Sequence, residues 1–160
     1  MISALASYYS EKAPVSDVGR SARDIAEIIE EYESAPILVD AVGDSEVLTD
    51  YIMMRLCENG YNATLYSLGY FDGLKEQAKT GLLIVFNESG MSLLPSCLAA
   101  NMRRYKVLSF TASHDSPVSK VSDINIVIKN KKSTVSHYEP NYFAAGSLAL
   151  LERVFSLLGR

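Results

Sequence analysis

The chain has 160 residues, 48% of them hydrophobic and 21% charged, with 15 basic against 19 acidic side chains and a net charge of −4. That length fits one domain with a sizeable core. The acidic balance, with a basic cluster as small as Lys129, Lys131 and Lys132, argues against a nucleic-acid surface, which needs a concentrated basic face. No apolar run approaches the roughly 20 residues of a membrane span, and the N-terminus lacks a signal-peptide pattern. A cytoplasmic protein that binds neither nucleic acid nor membrane is expected.

The elements follow in chain order. Residues Asp17 to Glu33 predict a helix, with Ile25, Ile28, Ile29 and Tyr32 on one side and acids on the other. Ile37 to Val42 is a continuous apolar run, interrupted only by Asp40, that stops at Gly43. Such runs mark strands buried on both faces, as in parallel sheets. Leu48, Ile52 and Leu56 step by four through a second helix, which Asn59-Gly60 ends. Ala63 to Tyr66 and Leu82 to Phe86 predict the second and third strands. Leu94, Cys97, Leu98 and Met102 sit at helical spacing, and Val107 to Phe110 predicts a fourth strand. Ser116-Pro117 supplies a cap and a first-turn proline for a brief helix. Ile124 to Ile128 is the fifth strand, Lys129 to Ser136 an exposed connection, and Phe143 to Leu158 the last helix. Cys57 and Cys97 lie in apolar helical surroundings without a CxxC pair or zinc-ligand spacing, which makes them small core fillers and predicts no metal.

Strands alternating with helices predict an α/β fold, a three-layered αβα sandwich around a five-stranded parallel sheet. The order 2-1-3-4-5 is expected, and ligands then bind beside the carboxyl ends of strands one and three, where the topology reverses. Both loops at that point are strand–turn–helix junctions rich in small polar residues: Gly43-Asp44-Ser45-Glu46, and Asn87-Glu88-Ser89-Gly90-Met91-Ser92. A helix N-terminus there offers N–H groups and a positive dipole end to an anion, and serines add donors. The same residue types also cap helices.

These residues resemble a known family. Asn87-Glu88-Ser89-Gly90-Met91-Ser92 is similar to the Ser-x-Ser-Gly-x-Thr signature of sugar-isomerase (SIS) domains. Tyr105 to Ser113, Ser116-Pro117-Val118 and Val121-Ser122-Asp123 resemble that family's next strand, its Ser-Pro-Leu-Ala turn and the approach to its last strand. Val42-Gly43-Asp44-Ser45, with Met54-Arg55-Leu56, resembles the Gly-x-Gly-Arg-Ser opening of the 6-phospho-3-hexuloisomerase branch. The resemblance covers Ile37 to Ile128 and implies one SIS domain over residues 1–160. It implies that Ser89, Gly90 and Ser92 hold a sugar phosphate while Gly43 and Ser45 line the opposite wall, with Asp44 and Asn87 in the same set. It also implies a homodimer or homotetramer, and aldose–ketose isomerisation through an enediol without metal or organic cofactor.

Several residues depart from the pattern. Asp44 stands where the arginine is expected, Asn87 replaces the first serine of the phosphate loop, and Glu88 follows it. A carboxylate beside a phosphate dianion reverses a favourable interaction. The last helix opens with Phe143-Ala144-Ala145-Gly146 instead of a glutamate pair, which leaves Glu139 as the nearest carboxylate for a base and His137 as its proton-carrying assistant. His114 reads as a turn residue. Tyr8, Tyr9, Tyr138 and Tyr142 add aromatic surface that can pack the end helices or face a partner chain. Three functions remain open: a phosphosugar isomerase, a non-catalytic sensor of a sugar phosphate or of a less anionic ligand such as an amino sugar or an uncharged polyol, and a structural oligomer whose ancestral cleft is empty.

Overall fold

The computed structural model describes residues 15–72, 80–129 and 142–159. Their elements are α1 (Val15–Glu31), β1 (Ile37–Ala41), a 3-10 turn (Gly43–Glu46), α2 (Val47–Glu58), β2 (Ala63–Leu65) and β3 (Leu82–Phe86). There follow α3 (Leu94–Met102), β4 (Lys106–Thr111), α4 (Pro117–Val121), β5 (Ile124–Val127) and α5 (Tyr142–Leu158). The strands form one sheet in the order β2-β1-β3-β4-β5, and every neighbouring pair is parallel.

Strand alternation sends successive side chains to opposite faces. Ile37 and Val39 of β1, Leu82, Ile84 and Phe86 of β3, and Leu108 and Phe110 of β4 join one buried cluster with α1, α2 and α5. Within it Phe86 and Phe110 stack at 4.6 Å between ring centroids. Leu38, Leu83, Val85 and Val107 face the other way, against Leu93, Cys97 and Ala100 around α3, Val118 of α4, and Phe71. β3 is buried along its whole length, as its uninterrupted apolar sequence requires. Among the described residues no helix is long and apolar enough to cross a membrane.

The differences from the sequence reading are local. α1 is shifted two residues toward the N-terminus, β1, β2 and β5 each end one residue earlier, and β4 extends by one residue at both ends. Cys57 is exposed, not a core filler. Leu56 takes the inward position, and a helix turns about 100° per residue, which carries Cys57 off the core. The same rotation corrects α3: Ser96, Cys97 and Ala100 face inward, so Leu98 and Met102 stand in solvent, 45% and 85% exposed. The Ser116 cap holds, its hydroxyl accepting from the Ser119 N–H at 3.2 Å with Pro117 in the first turn. Glu139, His137, Tyr8, Tyr9, Tyr138, Lys131 and Lys132 lie outside the described residues.

Candidate functional site

At the carboxyl end of β1 the chain enters the 3-10 turn through Gly43, whose φ of +66° is a conformation that side-chain-bearing residues disfavour. A Cβ there would meet nothing within 4 Å, so the demand is purely conformational. Asp44 is exposed and Ser45 buried. Neither the 3-10 turn nor α2 has a side-chain cap at its N-cap residue.

The loop after β3 is held far more tightly. The buried Asn87 amide is its organiser: Oδ1 accepts from the Leu93 N–H at 3.1 Å, and Nδ2 donates to Ser89 Oγ at 3.3 Å. Ser89 Oγ also accepts from the Met91 N–H at 3.3 Å. A hydroxyl has two acceptor lone pairs and one donor hydrogen, so with both lone pairs engaged Ser89 has its O–H left to give. The Gly90 N–H donates to the Asn87 carbonyl at 2.9 Å, and its carbonyl accepts from the Val118 N–H at 2.9 Å. Gly90 has φ +67°, and a Cβ on it would lie 2.1 Å from Ser116 Oγ and 2.2 Å from Ser116 Cβ. The Ala112 N–H donates to the Glu88 carbonyl at 2.9 Å, tying this loop to the one after β4.

One sequence expectation is narrowed by this lacing. The Leu93 N–H bonds Asn87, the Leu94 N–H bonds the Met91 carbonyl, and Pro95 has no N–H. These three positions at the start of α3 therefore offer a ligand nothing, and donors must come from the loop before them.

Between the loops lies a cleft of about 600 Å³ lined by Val42, Gly43, Asp44, Ser45, Asn87, Glu88, Ser89, Ser92, Ala112 and Ser113. Six of the seven residues assigned to phosphosugar binding thus line one cavity. Gly90 is the seventh; it is buried beneath the loop against Ser116. Among the described residues the charged members of this lining are Asp44 and Glu88, with no Lys, Arg or His. A second concavity of about 460 Å³ lies at the opposite end of the sheet, where Arg104, Tyr105, Lys106 and Asp123 meet Tyr32, Asn101 and Val121. Three of its polar side chains already serve the fold: Asn101 Nδ2 donates to the Val121 carbonyl, Asp123 accepts from the Val107 N–H, and Lys106 pairs with Glu31. Open parallel sheets bind ligands at strand carboxyl ends, which singles out the first cleft.

Behind β1, on the α3 side, burial raises the Asp40 carboxyl above its ordinary range, while hydrogen bonds from Ser96 and the Ala41 backbone pull it down. The neighbouring Cys97 thiol is pushed up to about 12, by burial first and by the Asp40 charge second. It is an inert thiol.

No protein-family model and no curated protein matches the chain. Solved structures do. A Methanococcus jannaschii protein, whose structure led to an inferred function of 3-hexulose-6-phosphate isomerase, superposes with TM-score 0.69 at 20% identity, over 98% of this chain and 84% of that one. The sugar isomerase domain of the RpiR transcription factor from Sphaerobacter thermophilus matches with TM-score 0.61 at 16% identity, over 87% and 83% of the two chains. The Vibrio vulnificus NanR protein complexed with ManNAc-6P matches with TM-score 0.64 at 22% identity, over 87% of this chain and 52% of its own. Its fold is that of the sugar-isomerase domains.

Within the sugar-isomerase fold, sequence reasoning had missed Ala112 and Ser113 as cleft residues. The signal was available in the strand order, which places the end of β4 beside the end of β3. Arg55 of the Met-Arg-Leu helix does not line the cleft. It reaches Glu152 of α5 at 3.5 Å, and Glu152 also accepts a short hydrogen bond from the Tyr51 hydroxyl, so this motif fastens α2 to α5. His114 lies in a turn.

Proposed function

We propose that residues 1–160 form one sugar-isomerase domain whose carboxyl-end cleft binds a phosphorylated sugar. Ser89 and Ser92 hold the phosphate, Asn87 and Gly90 keep their loop in shape, and Gly43, Asp44 and Ser45 form the opposite wall. The observation that carries this reading is the Ser89 hydroxyl: both its lone pairs are engaged inside the loop, which leaves its hydrogen to donate to an oxyanion. Fold neighbours that bind or are inferred to act on sugar phosphates support the same ligand class. In the isomerase form of the proposal Glu139 is the base that moves the carbon-bound proton and His137 assists, with no metal or organic cofactor, in a homodimer or homotetramer.

A second reading, a sensor that holds the ligand without turning it over, is favoured by a separate observation. Among the described residues two carboxylates and no cation line the cleft, and α5 opens on Tyr142, Phe143, Ala144 and Ala145 with no Asp or Glu. A thermal-shift panel of sugar phosphates, inorganic phosphate and unphosphorylated sugars tests both readings. A ligand well above its Kd should stabilise the fold by a few kcal/mol. Binding is supported if phosphorylated sugars raise the midpoint and the Ser89→Ala, Ser92→Ala variant abolishes the shift. Isomerisation that Glu139→Gln removes then selects the enzyme; binding without turnover selects the sensor. A response to amino sugars or neutral sugars alone, with none to phosphates, overturns the phosphate assignment.

A further inference from the structure

The sheet carries three polar side chains on its α3 side that the core does not explain. β4 is buried from Val107 to Thr111. Alternation sends Leu108 and Phe110 into the larger cluster, while Ser109 and Thr111 point the other way, with Val107. Both are fully buried. Asn125 of β5 stands directly across from Ser109. Its amide oxygen accepts from the Ser109 hydroxyl at 2.7 Å and from the Thr111 hydroxyl at 3.0 Å. Its amide nitrogen is buried and finds no partner among the described residues. A buried donor without a partner weakens a fold, and apolar side chains of the same shape would serve the core at least as well. Stability is therefore not what the trio supplies.

It supplies a fixed exit from β4 into the cleft. Thr111 is the last residue of the strand, and its hydroxyl also reaches the Ser113 carbonyl at 2.8 Å. The single hydrogen of Thr111 thus lies between two oxygens as a three-centre bond. A threonine can exchange its hydroxyl and methyl by turning about χ1. The Asn125 oxygen accepts from a hydroxyl and offers a methyl nothing, so it keeps the hydroxyl turned toward Ser113. Between them the Ala112 N–H binds the Glu88 carbonyl at 2.9 Å, which pins the same turn to the loop after β3. Ser113 is exposed and lines the cleft. Its Oγ accepts from the Asp115 N–H at 3.1 Å, and its own hydrogen goes to no described residue, which leaves it for a ligand.

We propose that Thr111 is a positioning residue of the carboxyl-end cleft, holding the Ser113 carbonyl from beneath so that Ser113 presents its hydroxyl to the bound molecule. That role rests on the reading of the cleft as a binding site. Thr111 itself touches no ligand: it is fully buried and absent from the cleft lining.

Thr111→Val keeps the shape of the side chain and removes the hydroxyl, while Thr111→Ser keeps the hydroxyl. Each is compared with the wild type in three ways: urea unfolding, amide heteronuclear NOE without ligand, and titration with ManNAc-6P and with inorganic phosphate under conditions where all chains are folded. In Thr111→Val the NOE of the Ser113 and His114 amides should fall as the turn loosens on the fast timescale. Affinity for the bound probe should drop about tenfold, the loss expected for one misplaced hydrogen bond. Thr111→Ser should restore both. A Ser113 amide as ordered in Thr111→Val as in the wild type overturns the proposal. So does a Thr111→Val chain that is less stable yet binds with wild-type affinity, because the bond is then structural only. Failure of the cleft reading looks different. There the wild type binds neither probe, and the ligand-free NOE still decides whether Thr111 holds Ser113.

Discussion

Replacing Gly90 by alanine should destabilise the protein more than replacing Gly43, although both glycines have nearly the same backbone angle, φ +67° and +66°. At Gly43 an added Cβ meets nothing within 4 Å, so Gly43→Ala carries only the cost of a left-handed residue, about 1–2 kcal/mol. At Gly90 the Cβ arrives 2.1 Å from Ser116 Oγ and 2.2 Å from Ser116 Cβ. Ser116 cannot step aside freely, because its hydroxyl caps α4 and the Val118 N–H holds the Gly90 carbonyl at 2.9 Å. Overpacking a tight contact adds about 1–3 kcal/mol, so Gly90→Ala should cost roughly 2–5 kcal/mol in total. Ser116→Gly removes both clashing atoms and costs a cap only a few tenths of a kcal/mol. The Gly90→Ala, Ser116→Gly double variant should therefore return to about the Gly43→Ala level. Urea unfolding at constant m value measures all four chains. A Gly90→Ala variant no less stable than Gly43→Ala, or a double variant no better than Gly90→Ala alone, refutes the packing argument.

Three further outcomes are expected. Asn87→Ala strands the buried Leu93 N–H, which should cost about 1–3 kcal/mol, and it weakens ligand response by freeing Ser89; unfolding and thermal shift measured on one sample check both effects. Native protein should give one fast-reacting thiol per chain with a thiol reagent and two in denaturant, because Cys57 is exposed while Cys97 is buried and pushed up to about 12; two fast thiols in the native state contradict the burial. Asp40, raised above its ordinary 3.8 by burial, binds its proton more tightly in the folded chain, so its contribution to stability falls as pH rises from the unfolded value through the folded one. Asp40→Asn should then stabilise the protein at neutral pH, with the advantage fading as pH falls from the raised folded value toward 3.8 and gone below it; unfolding midpoints across pH follow it, and a constant difference refutes the linkage.

The sheet was legible in the sequence because its inner strands are buried on both faces, and that leaves a mark in composition. Leu82 to Phe86 admits no other reading, and the order of strands and helices then fixes the topology to a short list. Helix faces were less legible. Leu98 and Met102 fit a helical period as well as Cys97 does, and only the packed arc of Ser96, Cys97 and Ala100 decides which residues turn inward. The cleft was legible as two loops at the reversal of strand order, where the left-handed glycine Gly43 and the small polar residues beside it mark a strand–turn–helix junction. What could not be read is how Asn87 spends its amide. A substitution that looks like a lost phosphate ligand proves to be the clamp that closes the loop on Leu93, a contact six residues away that no local pattern announces. Likewise Arg55 reads as part of a site motif and instead ties α2 to Glu152, because its partner lies on a helix nearly a hundred residues later.

The amide NMR spectrum of the full chain, recorded with and without a sugar phosphate, bears most directly on the binding cleft. The account predicts ligand-dependent shifts at Gly43 to Ser45, Asn87 to Ser92 and Ser113, lost in the Ser89→Ala, Ser92→Ala variant. No shift at saturating ligand, or shifts confined to Arg104, Lys106 and Asp123 at the opposite end of the sheet, would contradict it.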